Sequence, residues 1–95
     1  QFDLGENFKL AVVSTAEGDD KPAKYPMLFR EARAVLLNKI DLIPYTNFSM
    51  LRFRNDLQKI NRTIPLFELS CTRGDGLGAW FEWISSRIKE YYNQE

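Results

Sequence analysis

Three apolar runs alternate with three helical patterns along the chain. The first run, Phe8 to Ala16 (FKLAVVSTA), is rich in β-branched and aliphatic residues and stops at the polar stretch EGDDKP, so it reads as a strand followed by a loop. The second, Arg33 to Leu37 with Asn38 closing it, is continuously apolar instead of alternating, the mark of a strand covered on both faces as in a parallel sheet. The third, Ile64 to Cys71, tolerates Pro65 because a missing N–H costs little in the first residues of a strand. Between the first two runs, Lys24 to Ala32 predicts a short helix with Pro26 in its first turn. Met50, Phe53, Leu57 and Ile60 then lay one apolar stripe along a helix capped within Asn47-Phe48-Ser49. After the loop TRGDG, Leu77, Trp80, Phe81, Ile84, Ile88 and Tyr91 recur at helical spacing, and the aromatic residues Trp80, Phe81, Trp83, Tyr91 and Tyr92 are expected in the core. Phe2 to Glu6 reads as a loop-like entry.

Strand and helix alternating three times is the pattern of an open parallel α/β sheet, whose ligands bind in loops beyond the carboxyl ends of the strands. Composition bounds what those loops can do. At 95 residues the chain has room for one domain or part of one, and the opening at Gln1 suggests a piece of a longer chain. A hydrophobic fraction of 44% with 27% charge describes a chain that folds. Thirteen basic residues balance thirteen acidic ones, which argues against a sequence-independent hold on nucleic acid or an anionic membrane. One Cys and no His exclude an internal disulfide, the usual Cys/His zinc site and a Cys-His or Ser-His catalytic pair within the chain. The apolar runs are too short to span a membrane and no signal-peptide pattern opens the sequence, so a cytoplasmic setting is expected.

Two of the strand-end loops carry chemistry. Asn38-Lys39-Ile40-Asp41 ends the second strand and matches N-K-x-D, the base-reading motif of GTP-binding proteins. Guanine presents two parallel N–H donors, at N1 and its 2-amino group, and an ionised carboxylate such as Asp41 accepts both. Adenine has a lone pair at N1 and no 2-amino group, so it would leave the carboxylate under-satisfied at a cost of roughly 1–3 kcal/mol. The Lys39 stem can lie along a base face while its ammonium stays wet, and the Asn38 amide can tie neighbouring loops together. Such a motif arises by chance in about one chain of this length per hundred, so solvated charges at a strand end are the alternative until context decides.

The context is a second loop, Ser70-Cys71-Thr72-Arg73-Gly74, which begins 29 residues beyond Asp41 at the end of the next strand. It resembles the S-A-x-T-G loop of the same GTPases, whose small second residue turns its backbone N–H toward the guanine O6. Cys71 stands where Ala is usual and is still small. Arg73 replaces Thr, leaving the bracing of the loop open and offering a guanidinium that could cover the base. No G-x-x-x-x-G-K-[ST] occurs, so this chain has no loop for the β- and γ-phosphates and no Mg²⁺ ligand: it can read a base but cannot alone hydrolyse a nucleotide.

Across nearly its whole length the chain resembles the carboxyl-terminal half of the HypB family, GTPases for nickel insertion in [NiFe]-hydrogenase maturation. The resemblance is carried by FDLGE (Phe2 to Glu6), VSTAEGDDKPAKYPMLFR (Val13 to Arg30), VLLNKIDLIPY (Val35 to Tyr45) and SCTRGDGLGAWFEWI (Ser70 to Ile84). It implies a parallel-sheet P-loop GTPase fold, here only the carboxyl-terminal three β-strands and their helices, so that residues 1–95 are half of one domain. It implies GTP or GDP with Mg²⁺ as ligands of the parent protein, read by Asn38, Lys39, Asp41, Ser70, Cys71 and Thr72. It also implies a homodimer with the nucleotides near the contact, and nickel or zinc held by Cys and His of the preceding half, outside this chain. The implied partners are a companion nickel metallochaperone and the hydrogenase large-subunit precursor. EGDDKPAKYP becomes a mobile segment near the nucleotide and the dimer interface, against the simpler reading of a solvated loop. The apolar Leu42-Ile43-Pro44-Tyr45 stretch with Phe48 either packs the following helix or makes a subunit contact. Two other readings stay open: the related urease nickel-insertion GTPase, and a non-enzymatic α/β interaction module with a vestigial N-K-x-D. In GTPases of the family the strand matching Phe8 to Ala16 lies beside the strand leading to the phosphate loop, so the chain alone would bare a hydrophobic sheet edge.

Overall fold

The continuously apolar second run forms the centre of the sheet. A computed structural model of the chain describes residues 2–3, 9–70 and 72–93. In chain order the strands are β1 (Phe2–Asp3), β2 (Lys9–Ser14), β3 (Ala34–Asn38) and β4 (Leu66–Glu68), and the helices α1 (Lys21–Lys24), α2 (Pro26–Glu31), α3 (Met50–Ile60) and α4 (Leu77–Asn93). Two 3₁₀ turns, Thr15–Glu17 and Ile40–Tyr45, complete the path. The strands lie in the order β1-β2-β3-β4. β2 and β3 pair in parallel from Leu10↔Ala34 to Ser14↔Asn38, and β3 and β4 pair in parallel from Val35↔Leu66 to Leu37↔Glu68.

The three parallel strands and their helices are as expected, with differences at the ends. Backbone at Phe2 and Asp3, read as a loop, forms a short strand antiparallel to β2. Leu4 to Glu6 and Phe8 lie outside the described residues. β2 stops at Ser14 instead of Ala16 because Ser14 caps the first 3₁₀ turn: its Oγ accepts from Ala16 N at 3.2 Å and its own N–H donates to Glu17 Oε1 at 3.0 Å. Two prolines divide the expected Lys24 to Ala32 helix and start it earlier. Pro22 and Pro26 each sit in a first turn, and Tyr25, held out of the helical region before Pro26, separates α1 from α2. β4 is shorter than Ile64 to Cys71, because Ser70 leaves the ladder to bridge Asp75.

The sheet is covered on both faces, as the unbroken apolar run of β3 requires. On one face Ala11, Val13, Val35 and Leu37 meet Phe29 of α2 and Phe53 and Leu57 of α3. Phe53 is fully buried and packs edge-on to Phe29 and against Phe48, with ring centroids 6.4 and 5.5 Å away. Ser49 caps α3 by accepting from Arg52 N at 3.2 Å, as the sequence suggests. On the other face Leu10, Ala34, Leu36 and Leu69 meet Leu77, Trp80 and Trp83 of α4, where the two indoles stack on each other and Phe67 of β4 packs against both. Not all the expected aromatic core is core. Phe81 is 58% exposed, since it lies about 100° around the helix from Trp80, and Ile88 is exposed on the same flank. The side chains of Tyr91 and Tyr92 lie outside those described.

Candidate functional site

The parallel strands bring the carboxyl ends of β2, β3 and β4 side by side. At the end of β3 the backbone turns sharply: Lys39 has φ 62° and ψ 39°, the one positive-φ residue other than glycine among those described. The left-handed conformation is costly for a residue with a Cβ, and hydrogen bonds on both its N–H and its carbonyl, the latter also accepting from Leu42 N at 3.0 Å, hold this one. Its N–H donates to the Asn38 side-chain oxygen at 2.8 Å, and its carbonyl accepts from the Thr15 hydroxyl at 2.6 Å. Ile40 N then donates to Leu69 O at 3.1 Å, stitching the exit of β3 to that of β4. The chain enters the 3₁₀ turn Ile40–Tyr45 with Asp41 in its first turn.

Asp41 and Ser70 meet there. Ser70 is fully buried, and its hydroxyl donates to Asp41 Oδ1 at 2.9 Å across 29 residues of sequence. The same oxygen accepts from Arg73 N at 3.3 Å. Ser70 N donates to Asp75 O at 3.0 Å and Ser70 O accepts from Gly74 N at 2.7 Å, so the second loop closes on itself around one serine. Gly76 completes the closure at φ 77°, where a Cβ would come within 2.1 Å of the Glu68 carbonyl oxygen. A donor fixed on Oδ1 orients the half-buried carboxylate and leaves its remaining lone pairs for a ligand with paired N–H groups.

The remaining sequence-predicted residues fall around this pair. Lys39 is exposed, Thr72 is exposed, and Cys71 lies outside the described residues. The Asn38 amide oxygen bonds to the next residue's N–H and not to a neighbouring loop; the tie between loops comes from Thr15, which sequence reasoning missed. Its only signal was a hydroxyl near the end of an apolar run expected to be strand. The bracing left open by Arg73 comes from Ser70, while the Arg73 side chain pairs with Asp75 at 3.5 Å. In the EGDDKPAKYP stretch, Asp19 is mostly buried and its Oδ2 accepts from Ser49 N at 2.7 Å, so this part is a helix-capping contact and not merely solvated charge. Lys24, bonded to Asp20 at 3.1 Å, holds the Asp20 carboxyl below the usual carboxylate range. The apolar stretch after Asp41 divides: Phe48 is buried and Ile43 packs on the core, whereas Leu42 is 36% and Tyr45 84% exposed.

Among the described residues no group of three or more His, Cys, Asp or Glu is arranged to hold a metal ion, and no helix is long and apolar enough to cross a membrane. No family model matches the chain. It is 43% identical over 86 residues to the hydrogenase maturation factor HypB of Escherichia coli, covering 90% of this chain and 30% of that protein. It is 33% identical over 91 residues to the hydrogenase/urease maturation factor HypB of Helicobacter hepaticus, covering 96% of this chain and 38% of that one. Its fold matches the crystal structure of HypB from Helicobacter pylori in complex with nickel with a TM-score of 0.84 at 31% identity, over 96% of this chain and 42% of that chain. The chain therefore spans about a third of the length of the curated relatives it matches.

Proposed function

Because this chain is a HypB relative in both sequence and fold, with the parallel strands and helices of the carboxyl-terminal part of that P-loop GTPase fold, we propose that it is the guanine-reading half of one GTPase domain. The observation that carries the reading is the Asp41 carboxylate, aimed by the Ser70 hydroxyl at 2.9 Å. The two residues come from separate loops, of which the first matches N-K-x-D and the second resembles the S-A-x-T-G guanine loop with Cys71 and Arg73 as departures. In this reading Asp41 accepts from guanine N1 and the 2-amino group, the Lys39 stem lies along the base, and the loop at Ser70, Cys71 and Thr72 offers a backbone donor to O6. Asn38 supports the turn that presents Lys39.

The parent protein hydrolyses GTP with Mg²⁺ at a phosphate loop elsewhere in its sequence, and this half alone is inactive. The activity serves nickel delivery in hydrogenase maturation in the cytoplasm. The parent is a homodimer, and it works with a companion nickel metallochaperone and the hydrogenase large-subunit precursor. Nickel or zinc is bound outside this chain. Exposed Leu42 and Tyr45 suit a subunit contact close to the base loop. The Helicobacter hepaticus relative is named for urease as well as hydrogenase maturation, which favours urease as a second destination for the metal.

The test is competition against a fluorescent guanine nucleotide in the full-length protein. GDP should displace it, ADP should not, and Asp41→Asn should abolish the preference. Equal competition by ADP, or no competition by either, would refute the assignment.

A further inference from the structure

The inference rests on the guanine-reading assignment and concerns what sets the geometry of the base loop. The segment from Lys39 to Ser49, which carries Asp41, is held near both ends by one short connection, the stretch between β2 and α1. At one end the Thr15 hydroxyl, 1% exposed, donates to Lys39 O at 2.6 Å. At the other, Asp19 Oδ2 accepts from Ser49 N at 2.7 Å, and Arg52 lies 3.9 Å from the other oxygen of the same carboxylate. The reciprocal Ser14–Glu17 capping box, which encloses the first anchor, stiffens the connection.

We infer that this connection is a brace that sets how sharply the site discriminates guanine from other purines, with Thr15 as its positioning residue. Lys39 occupies a strained left-handed conformation that persists only where its surroundings over-determine it. On the carbonyl side Leu42 N donates from within the turn at 3.0 Å, and Thr15 supplies the donor from outside it, at the point where the peptide leads into the turn bearing Asp41. Without that donor the Lys39–Ile40 peptide keeps Leu69 O on its N–H and Leu42 N on its carbonyl but loses its tie to the exit of β2, and Asp41 shifts relative to Ser70 while its chemistry is unchanged. A valine at position 15 fills nearly the same volume and removes only the hydroxyl, so it separates positioning from packing.

The experiment compares GDP and inosine diphosphate in competition assays on the full-length protein. Inosine diphosphate lacks the 2-amino group and so reports the second of Asp41's two hydrogen bonds. Thr15→Val should lower the ratio of GDP to inosine diphosphate affinity by roughly 3- to 10-fold, and Thr15→Ser, which keeps the hydroxyl, should restore it. In an Asp41→Asn background Thr15→Val should cause no further fall, because the two act through the same contact. A ratio within twofold of wild type in Thr15→Val, or equal losses for both nucleotides, overturns the brace while leaving the guanine assignment standing. An Asp41→Asn variant with an unchanged ratio overturns the guanine assignment, and the brace with it. If Thr15→Val does not fold, Asp19→Ala at the other anchor decides: a lowered ratio supports the brace and an unchanged one overturns it.

Discussion

A carboxylate and a serine 2.9 Å apart carry most of what this site says about a ligand. The Ser70 hydroxyl has a donor that it gives to Asp41 and lone pairs that accept the N–H of Arg73, so a single atom both aims the carboxylate and closes the second loop. Ser70→Ala should therefore weaken GDP binding by about 1–2 kcal/mol, roughly 5- to 30-fold, with the preference for GDP over ADP reduced but present, as isothermal titration would record. Asp41→Asn should do something different in kind. An amide presents a donor where the carboxylate presented only acceptors, and xanthine carries a 2-carbonyl where guanine carries a 2-amino group. The variant should lose affinity for GDP and gain it for xanthosine diphosphate. If the variant bound both nucleotides as weakly as ADP, Asp41 would not be facing the 2-position of the base. The identities of Asp41 and Ser70 were legible because each sits in a short motif at the end of an apolar run. Thr15 was not, since a lone hydroxyl inside the expected Phe8 to Ala16 strand has no motif and its partner, Lys39 O, is backbone.

The elements were legible to the extent that one periodicity governed each of them. α3 runs Met50–Ile60 as the stripe of Met50, Phe53, Leu57 and Ile60 implies, with Ser49 as its cap, because the buried face and the cap agree. Strand ends were less legible: Ser14 and Ser70 are compatible with a strand by propensity, yet Ser14 ends β2 as the cap of a local S-x-x-E box, and Ser70 leaves its ladder to bond within its own loop and to Asp41. The second 3₁₀ turn, Ile40–Tyr45, had no periodic signal, being IDLIPY with a proline inside. For α4 the spacing located the helix but not the centre of its buried face, which is why Phe81 was expected in the core. The loop from Ser70 to Gly76 gives the sharpest element-scale prediction. Gly74 and Gly76 both have positive φ, 79° and 77°, but a Cβ at Gly74 meets nothing within 4 Å, whereas at Gly76 it would collide with the Glu68 backbone. Gly74→Ala should cost about 1–2 kcal/mol from backbone conformation alone. Gly76→Ala should cost about 2–4 kcal/mol, because the end of β4 must also move. Urea denaturation of the two variants checks this: equal midpoints would mean that the loop relaxes around the added methyl.

At the scale of the molecule the informative feature is the outer side of β2. The bare sheet edge expected from the sequence is partly covered, since β1 pairs antiparallel at Lys9 and Leu10. Beyond that point, from Ala11 to Ser14, no strand among the described residues lies on that side, although β2 runs on in register with β3 to Ser14. Val12, on the face of the sheet that α4 covers only in part, is 49% exposed there. An apolar edge with unpaired N–H and C=O groups recruits another strand. The 95-residue chain by itself should self-associate as its concentration rises, and sedimentation velocity paired with far-UV circular dichroism would detect this without loss of secondary structure. Val12→Lys should shift that equilibrium toward monomer, because a charge at an edge opposes pairing. Under the half-domain proposal the same substitution acts oppositely in the full-length protein. There the rest of the sheet covers Val12, and a buried unpaired ammonium should lower stability by about 2 kcal/mol or more. The two measurements bear on one question, whether the partner of this edge lies in the same polypeptide. A chain that stays monomeric at high concentration, together with a full-length protein indifferent to Val12→Lys, would mean that no strand beyond β1 pairs with β2 and that these residues form a complete domain.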